Sequence, residues 1–142
     1  MGVPTKVLFV CIGNSCRSQM AEALARHSAQ GTMEVASAGL SPLGFIADPT
    51  REVLTERGIP SDGQVSKGLG EIIRFQPDLI VNMSGYNGRG KFGDYEYEDW
   101  DVEDPYGDDM ATYRRICDDI EARIADLSAR LRAKKNSGVS DR

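Results

Sequence analysis

Eight consecutive residues, Cys11-Ile12-Gly13-Asn14-Ser15-Cys16-Arg17-Ser18, combine a nucleophilic thiol, turn-forming residues and a fixed cation. They sit between a short apolar run, Lys6-Val7-Leu8-Phe9-Val10, and a segment with Met20, Ala21, Leu24 and Ala25 at helical spacing. A strand, a tight loop and a helix in that order aim backbone N–H groups at one point, and the helix N-terminus adds positive potential there. Gly13 and Asn14 tolerate the left-handed conformations that such a nest needs. A phosphate-like oxyanion fits this ring, with Ile12 to Ser18 around it and the Arg17 guanidinium offering a bidentate fork. The same field favours the thiolate of Cys11, and the Ser18 hydroxyl can donate to that thiolate.

Spacing alone is a weak signal, and the chain carries its own control. Cys117 and Arg123 are also separated by five residues, but that copy lies inside a helical pattern, has no glycine and contains three acids. Helical amides are already hydrogen-bonded and the acids repel an anion, so Cys117 reads as a structural residue. The first copy is distinguished by its context.

The surrounding elements follow from periodicity. Buried strands are expected at Lys6–Val10, Met33–Ala38 and Asp78–Met83, with a fourth at Tyr95–Asp101. Helices are expected after the loop, from Asp48-Pro49 to Gly58 with Asp48 as N-cap, at Leu69–Phe75, and from Asp109 to about Ala133. The last has the apolar stripe Tyr113, Ile116, Cys117, Ile120, Ile124, Leu127 and Leu131. Residues 136–142 read as a frayed tail. Strands alternating with helices imply a parallel sheet covered on both faces. Ligands of such sheets bind at the carboxyl ends of the strands, beside a switch in strand order, and Cys11 lies at such an end.

A length of 142 residues suits one catalytic domain, 1–142. No apolar stretch is long enough to span a bilayer, so no membrane partner is expected. No processing site follows the first apolar run, and the expected compartment is the cytoplasm. Three cysteines do not make a disulfide framework, which points to catalysis or redox chemistry. A net charge of −5 argues against a nucleic-acid partner. The single histidine, His27, lies about three turns beyond the loop. It argues against both a Cys-His dyad and a histidine-rich metal site, so no metal or other cofactor is expected.

The segment Val7 to Glu22, with Ser37-Ala38-Gly39 and Asp104-Pro105 further on, resembles the low-molecular-weight protein tyrosine phosphatase superfamily. That superfamily includes the thioredoxin-coupled arsenate reductases. The resemblance covers most of the chain up to the last helix. It implies a three-layer α/β/α fold with a four-stranded parallel sheet, of the flavodoxin-like, phosphotyrosine phosphatase I type. It also implies Cys11 as nucleophile, Arg17 as the clamp on the phosphoryl group and Asp104 as general acid. The residues alone single out Asp104 only through Pro105, which biases it to an extended conformation in a stiff loop; Asp101 and Glu103 are the alternatives. Cys16 is either a small buried filler or a thiol able to capture an oxidised Cys11.

The expected substrate is a phosphorylated protein, in particular phosphotyrosine, or a small phosphate or oxyanion, hydrolysed through a cysteinyl-phosphate. The alternative is arsenate reduction. Asn14-Ser15-Cys16-Arg17-Ser18-Gln19 and Glu98-Asp99-Trp100 look reductase-like, and Leu40–Ala47 is shorter than the loop that gives many phosphatases an aromatic gate. Phe45 is the candidate for that place, and Tyr106 for the rim. Against reduction, Met83 to Gly93 holds no cysteine to relay an oxidation. A reductase here would use a low-molecular-weight thiol or Cys16. A catalytically idle phosphate-binding module ranks last, since candidates for nucleophile, clamp and acid are all present. The sequence leaves oligomeric state open.

Overall fold

The computed structural model describes residues 3–140, and side chains to residue 135. Strands β1 (Thr5–Cys11), β2 (Met33–Gly39), β3 (Leu79–Asn82) and β4 (Tyr97–Asp99) form one sheet in the order β2-β1-β3-β4. All three pairings are parallel. The helices are α1 (Arg17–Ser28), α2 (Asp48–Glu56), α3 (Gly70–Phe75) and α4 (Met110–Ser140). This is the expected three-layer α/β/α architecture.

Alternation along β1 divides the core. Val7, Phe9 and Cys11 face a large apolar cluster with Met20 and Leu24 of α1, Val53 and Leu54 of α2, and Ile116, Ile120 and Ile124 of α4. Leu8 and Val10 face a smaller cluster with Ile80, Phe92 and partly buried Leu69, Ile72 and Phe75. The second layer is thin because only six-residue α3 and loop residues cover it. Central β1 is buried on both faces, which accounts for its unbroken apolar run. The chain leaves β1 to form β2 on one side and later returns to place β3 on the other. The carboxyl end of β1, Cys11 itself, is therefore the switch point.

Several boundaries differ from the sequence expectations. Cys11 closes β1 rather than following it, because it continues the register opposite Gly39 of β2. Asp48 is the first helical residue of α2; Ala47 is the N-cap and no side chain caps this end. Gly58 does end that helix, at φ 70, with the Ile59 N–H reaching back to the Leu54 carbonyl. β4 has three residues instead of seven. Asp109 caps α4 through its carboxylate, 3.0 Å from the Thr112 N–H. The helix continues to Ser140, so the tail expected from residue 136 is helical that far; residues 141–142 lie outside the described residues. No helix of the described residues is long and apolar enough to cross a membrane.

Candidate active site

The loop between β1 and α1 separates its polar groups by direction. Every carbonyl from Cys11 to Cys16 is taken by a neighbouring group. Leu40, Ser41 and Leu43 donate N–H bonds to Cys11, Ile12 and Gly13; Ala47 donates to Ser15 and Met20 to Cys16. Ser66 Oγ adds a second bond to Gly13, Gln19 Nε2 serves Asn14, and Thr50 Oγ1 serves Ser15. Among the described residues, no backbone N–H from Ile12 to Arg17 has a protein acceptor. With the carbonyls held outward, six amides are left for an anion, which is the nest expected from the loop.

Two features mark this shape. Asn14 adopts φ 49 and is fully buried. Gly39 lies directly behind the loop: a Cβ there would stand 2.7 Å from the Ile12 carbonyl oxygen and 2.9 Å from the Asn14 nitrogen. The glycine of Ser37-Ala38-Gly39 is required because two backbones meet at that point.

Cys11 is 2% exposed, and its Sγ lies 2.9 Å from Ser18 Oγ. Arg17 is buried, with Nη1 donating to the Met83 carbonyl at 2.6 Å and the Val102 carbonyl at 3.2 Å. Those carbonyls come from the ends of β3 and the loop beyond β4, so the sheet itself orients the guanidinium. Arg17 Nε is buried without a partner, and Nη2 lies 3.5 Å from Asp104 Oδ2. The free Nε edge is the donor fork an oxyanion needs.

Asp104 is half exposed and is aimed from two sides. Oδ2 faces Arg17, and Oδ1 accepts the Tyr106 N–H at 3.1 Å. It lines the same pocket as Cys11, Ile12, Gly13, Ser15, Cys16, Arg17, Leu43 and Tyr106. The alternative acids do not line it. Glu103 is paired with Arg115 at 3.0 Å on the exposed surface. Asp101 is exposed, and its backbone carbonyl accepts Arg123 of α4 at 2.9 Å. Two neighbouring carboxylates are structural: Glu98 holds Trp100 Nε1 and Arg130, and Asp99 holds Asn82 and the Gly88 N–H.

Of the expected anion-binding residues, Ile12, Gly13, Ser15, Cys16 and Arg17 line the pocket, while the Asn14 and Ser18 side chains stand behind it. Cys16 points its Sγ to the Tyr113 hydroxyl, 3.3 Å away. Burial pushes the Cys16 thiol up, against the lowering effect of that hydroxyl. Phe45 is exposed and does not line the pocket; Leu43 occupies that wall, because its N–H is tied to the Gly13 carbonyl. Tyr106 does form the rim. His27 is exposed on α1. Leu43 and the supports Gln64, Ser66 and Lys67 carry no local signal in the sequence, because they lie far along the chain from Cys11. Among the described residues, no group of three or more His, Cys, Asp or Glu side chains is placed to hold a metal.

Residues 6–137 match the family model described as low molecular weight phosphotyrosine protein phosphatase. A probable low molecular weight protein-tyrosine-phosphatase of Ralstonia solanacearum is 35% identical over 89% of this chain and 96% of its own length. A glutaredoxin arsenate reductase of Synechocystis is 33% identical over 89% of this chain and 98% of its own length. Among solved structures, a cysteine-to-serine variant of the YwlE arginine phosphatase with a phosphorylated active-site serine superposes with a TM-score of 0.80. It is 28% identical, with 90% of this chain and 96% of that one covered. With an all-parallel sheet in the order β2-β1-β3-β4, an amide nest at its switch point and a family match over residues 6–137, this chain is an enzyme of the low molecular weight phosphotyrosine protein phosphatase family.

Proposed function

We propose that the protein hydrolyses phosphomonoesters, with phosphotyrosine in proteins as the substrate class, and that residues 1–142 act as one catalytic domain. The observation that carries this reading is the run of unpartnered loop amides from Ile12 to Arg17, five of whose six residues line the same pocket as Cys11 and Asp104, together with the free Nε of Arg17. In the first step Cys11 Sγ attacks phosphorus in line with the leaving oxygen. The S–P bond forms as the P–O bond breaks, and Asp104 gives its proton to the departing phenolate oxygen. The amides and Arg17 bind the equatorial oxygens, where charge is spread in the transition state. In the second step Asp104, now a carboxylate, takes a proton from water. The water oxygen attacks phosphorus, and Cys11 leaves as thiolate. The phosphorylated serine in the related arginine phosphatase supports a covalent intermediate at the position of Cys11. A free thiol nucleophile suits a reducing compartment, so we place the enzyme in the cytoplasm.

Arsenate reduction is the second reading, favoured by the kinship with the Synechocystis reductase. Arsenate matches phosphate in shape and charge, so the nest accepts both. The segment after β3 has no cysteine, and Cys16 is engaged with Tyr113. The electrons would then come from a small external thiol. The test is to compare aryl phosphate hydrolysis with arsenate reduction under several thiol donors. Turnover of aryl phosphates with a trapped cysteinyl-phosphate is expected. Thiol-dependent arsenate reduction in the absence of any phosphatase activity would overturn the assignment.

A further inference from the structure

A chain of side-chain amides behind the oxyanion loop takes no part in the chemistry described so far. The 2.9 Å contact between Cys11 Sγ and Ser18 Oγ has no intrinsic direction, because either atom can donate. Direction is imposed from outside. The Lys67 N–H can only donate, and it lies 2.8 Å from Asn14 Oδ1. The other end of that amide, Nδ2, therefore faces Ser18 Oγ at 2.8 Å. Gln19 Nε2 is within 3.1 Å of three acceptors: Asn14 Oδ1, the Asn14 carbonyl and the Val65 carbonyl. Its Oε1 is thereby turned to Gln64 Nε2, 2.5 Å away, which also reaches the Gln19 carbonyl at 3.2 Å. Gln64 comes from the loop before α3, and its own Oε1 is buried without a partner. Reversing the Gln64 amide would set two carbonyl oxygens against each other, so this orientation is fixed as well.

We propose that Gln64 is a positioning residue for the nucleophile, acting through Gln19 to hold and polarise the Asn14 amide that Lys67 orients, and so to strengthen the hydrogen bond from Ser18 to Cys11 Sγ. The relay runs one way: Gln64 donates to Gln19, Gln19 to Asn14, Asn14 to Ser18, and Ser18 to sulfur. Each link polarises the next, and the last one favours thiolate over thiol. Asn14, Ser18, Gln19 and Gln64 are all buried, so solvent does not replace a lost link. Asn14 also sits at φ 49, where a non-glycine residue depends on its contacts to stay. The inference rests on Cys11 being the nucleophile.

The experiment follows the rate of iodoacetamide alkylation of Cys11 against pH, with the site identified by mass spectrometry. The titratable and charged groups facing Cys11 are Arg17 and Cys16 of the loop and Asp104 and Tyr106 of the rim, with Tyr113 behind Cys16. Lys67 and Glu22 lie behind Asn14. All are retained in the variants. Gln64→Met keeps the length and removes the donor. It is expected to slow alkylation roughly three- to tenfold on the acidic limb, displacing the profile to higher pH. Gln19→Met cuts the next link and carries the same expectation, so the proposal stays testable should Gln64→Met not fold. In a Ser18→Ala background Gln64→Met should add no further shift, because the hydroxyl it acts through is gone. A wild-type profile in the glutamine variants, or an undiminished shift without Ser18, would overturn the relay. Wild-type alkylation that falls on a cysteine other than Cys11 would instead refute the nucleophile assignment.

Discussion

Gly39→Ala tests whether the backbone contact behind the oxyanion loop sets catalysis. The new Cβ would start 2.7 Å from the Ile12 carbonyl oxygen, 2.9 Å from the Asn14 nitrogen and 3.0 Å from Asn14 Cβ. Ordinary contact begins near 3.4 Å, so the loop must retreat by about 0.5 to 0.7 Å at Ile12 and Asn14. Neither neighbour is the free end of a flexible side chain. The Ile12 carbonyl is held by the Ser41 N–H at 2.8 Å, and Asn14 is fixed by Lys67, Gln19 and Ser18. Overpacking of this kind costs about 1–3 kcal/mol of stability. In the proposed mechanism the displaced Ile12 and Asn14 belong to the amide ring that must match the transition state. A misplacement of about 1 Å can cost about 100-fold, so a shift somewhat smaller than that should lower kcat/KM by about 10- to 100-fold. The assay is aryl phosphate turnover, alongside inhibition by inorganic phosphate and urea denaturation. Gly70→Ala is the control: its Cβ would meet nothing within 4 Å, and it should behave as wild type. Gly39→Ala with kcat/KM within about twofold of wild type would show that the loop tolerates the shift and that the close approach does not govern activity.

Cys11→Ser should abolish turnover while phosphate binding survives, since the amides and Arg17 remain; calorimetry with inorganic phosphate checks the binding. Asp104→Asn keeps the bond to the Tyr106 N–H but cannot donate an acidic proton, so its penalty should grow with leaving-group pKa, reaching about 10²–10⁴-fold for poor leaving groups. Arg17→Lys loses the planar fork for every substrate alike, and a graded series of aryl phosphates separates the two patterns. Burial pushes the Cys117 thiol up to about 11 from its ordinary 9.0. Its unfolded form therefore releases its proton first, and the associated stability, about 2–3 kcal/mol, is present below pH 9 and lost as pH rises through 11. Urea denaturation across that range should show a shallower alkaline decline in Cys117→Ala than in wild type.

Much of this protein was legible in its sequence because the signals were local. The strand-loop-helix around Cys11, the alternation of strands and helices, and the stripe from Tyr113 to Leu127 are set by neighbouring residues and by period. Asp109 at the start of α4 was readable for the same reason. Local chemistry could not tell that Ala47, rather than Asp48, caps α2, nor that β4 would shrink to Tyr97–Asp99, because those ends are decided by the elements packed against them.

The site divides along the same line. The sequence determined that a thiol and a guanidinium share one loop between a strand and a helix. Tertiary structure decided which carboxylate lines the same pocket: Asp104 turns to Arg17, while Glu103 is drawn to Arg115 and Asp101 does not line it. It also put Leu43 rather than Phe45 in the pocket wall, and turned Cys16 to Tyr113 of α4. Gln64 reaches Gln19 across 45 residues of chain, and Arg17 is oriented by the Met83 and Val102 carbonyls, 66 and 85 residues away. A short stretch of backbone can specify its own turn, but the direction of a buried side chain is fixed by whichever partner the completed sheet brings within hydrogen-bonding distance.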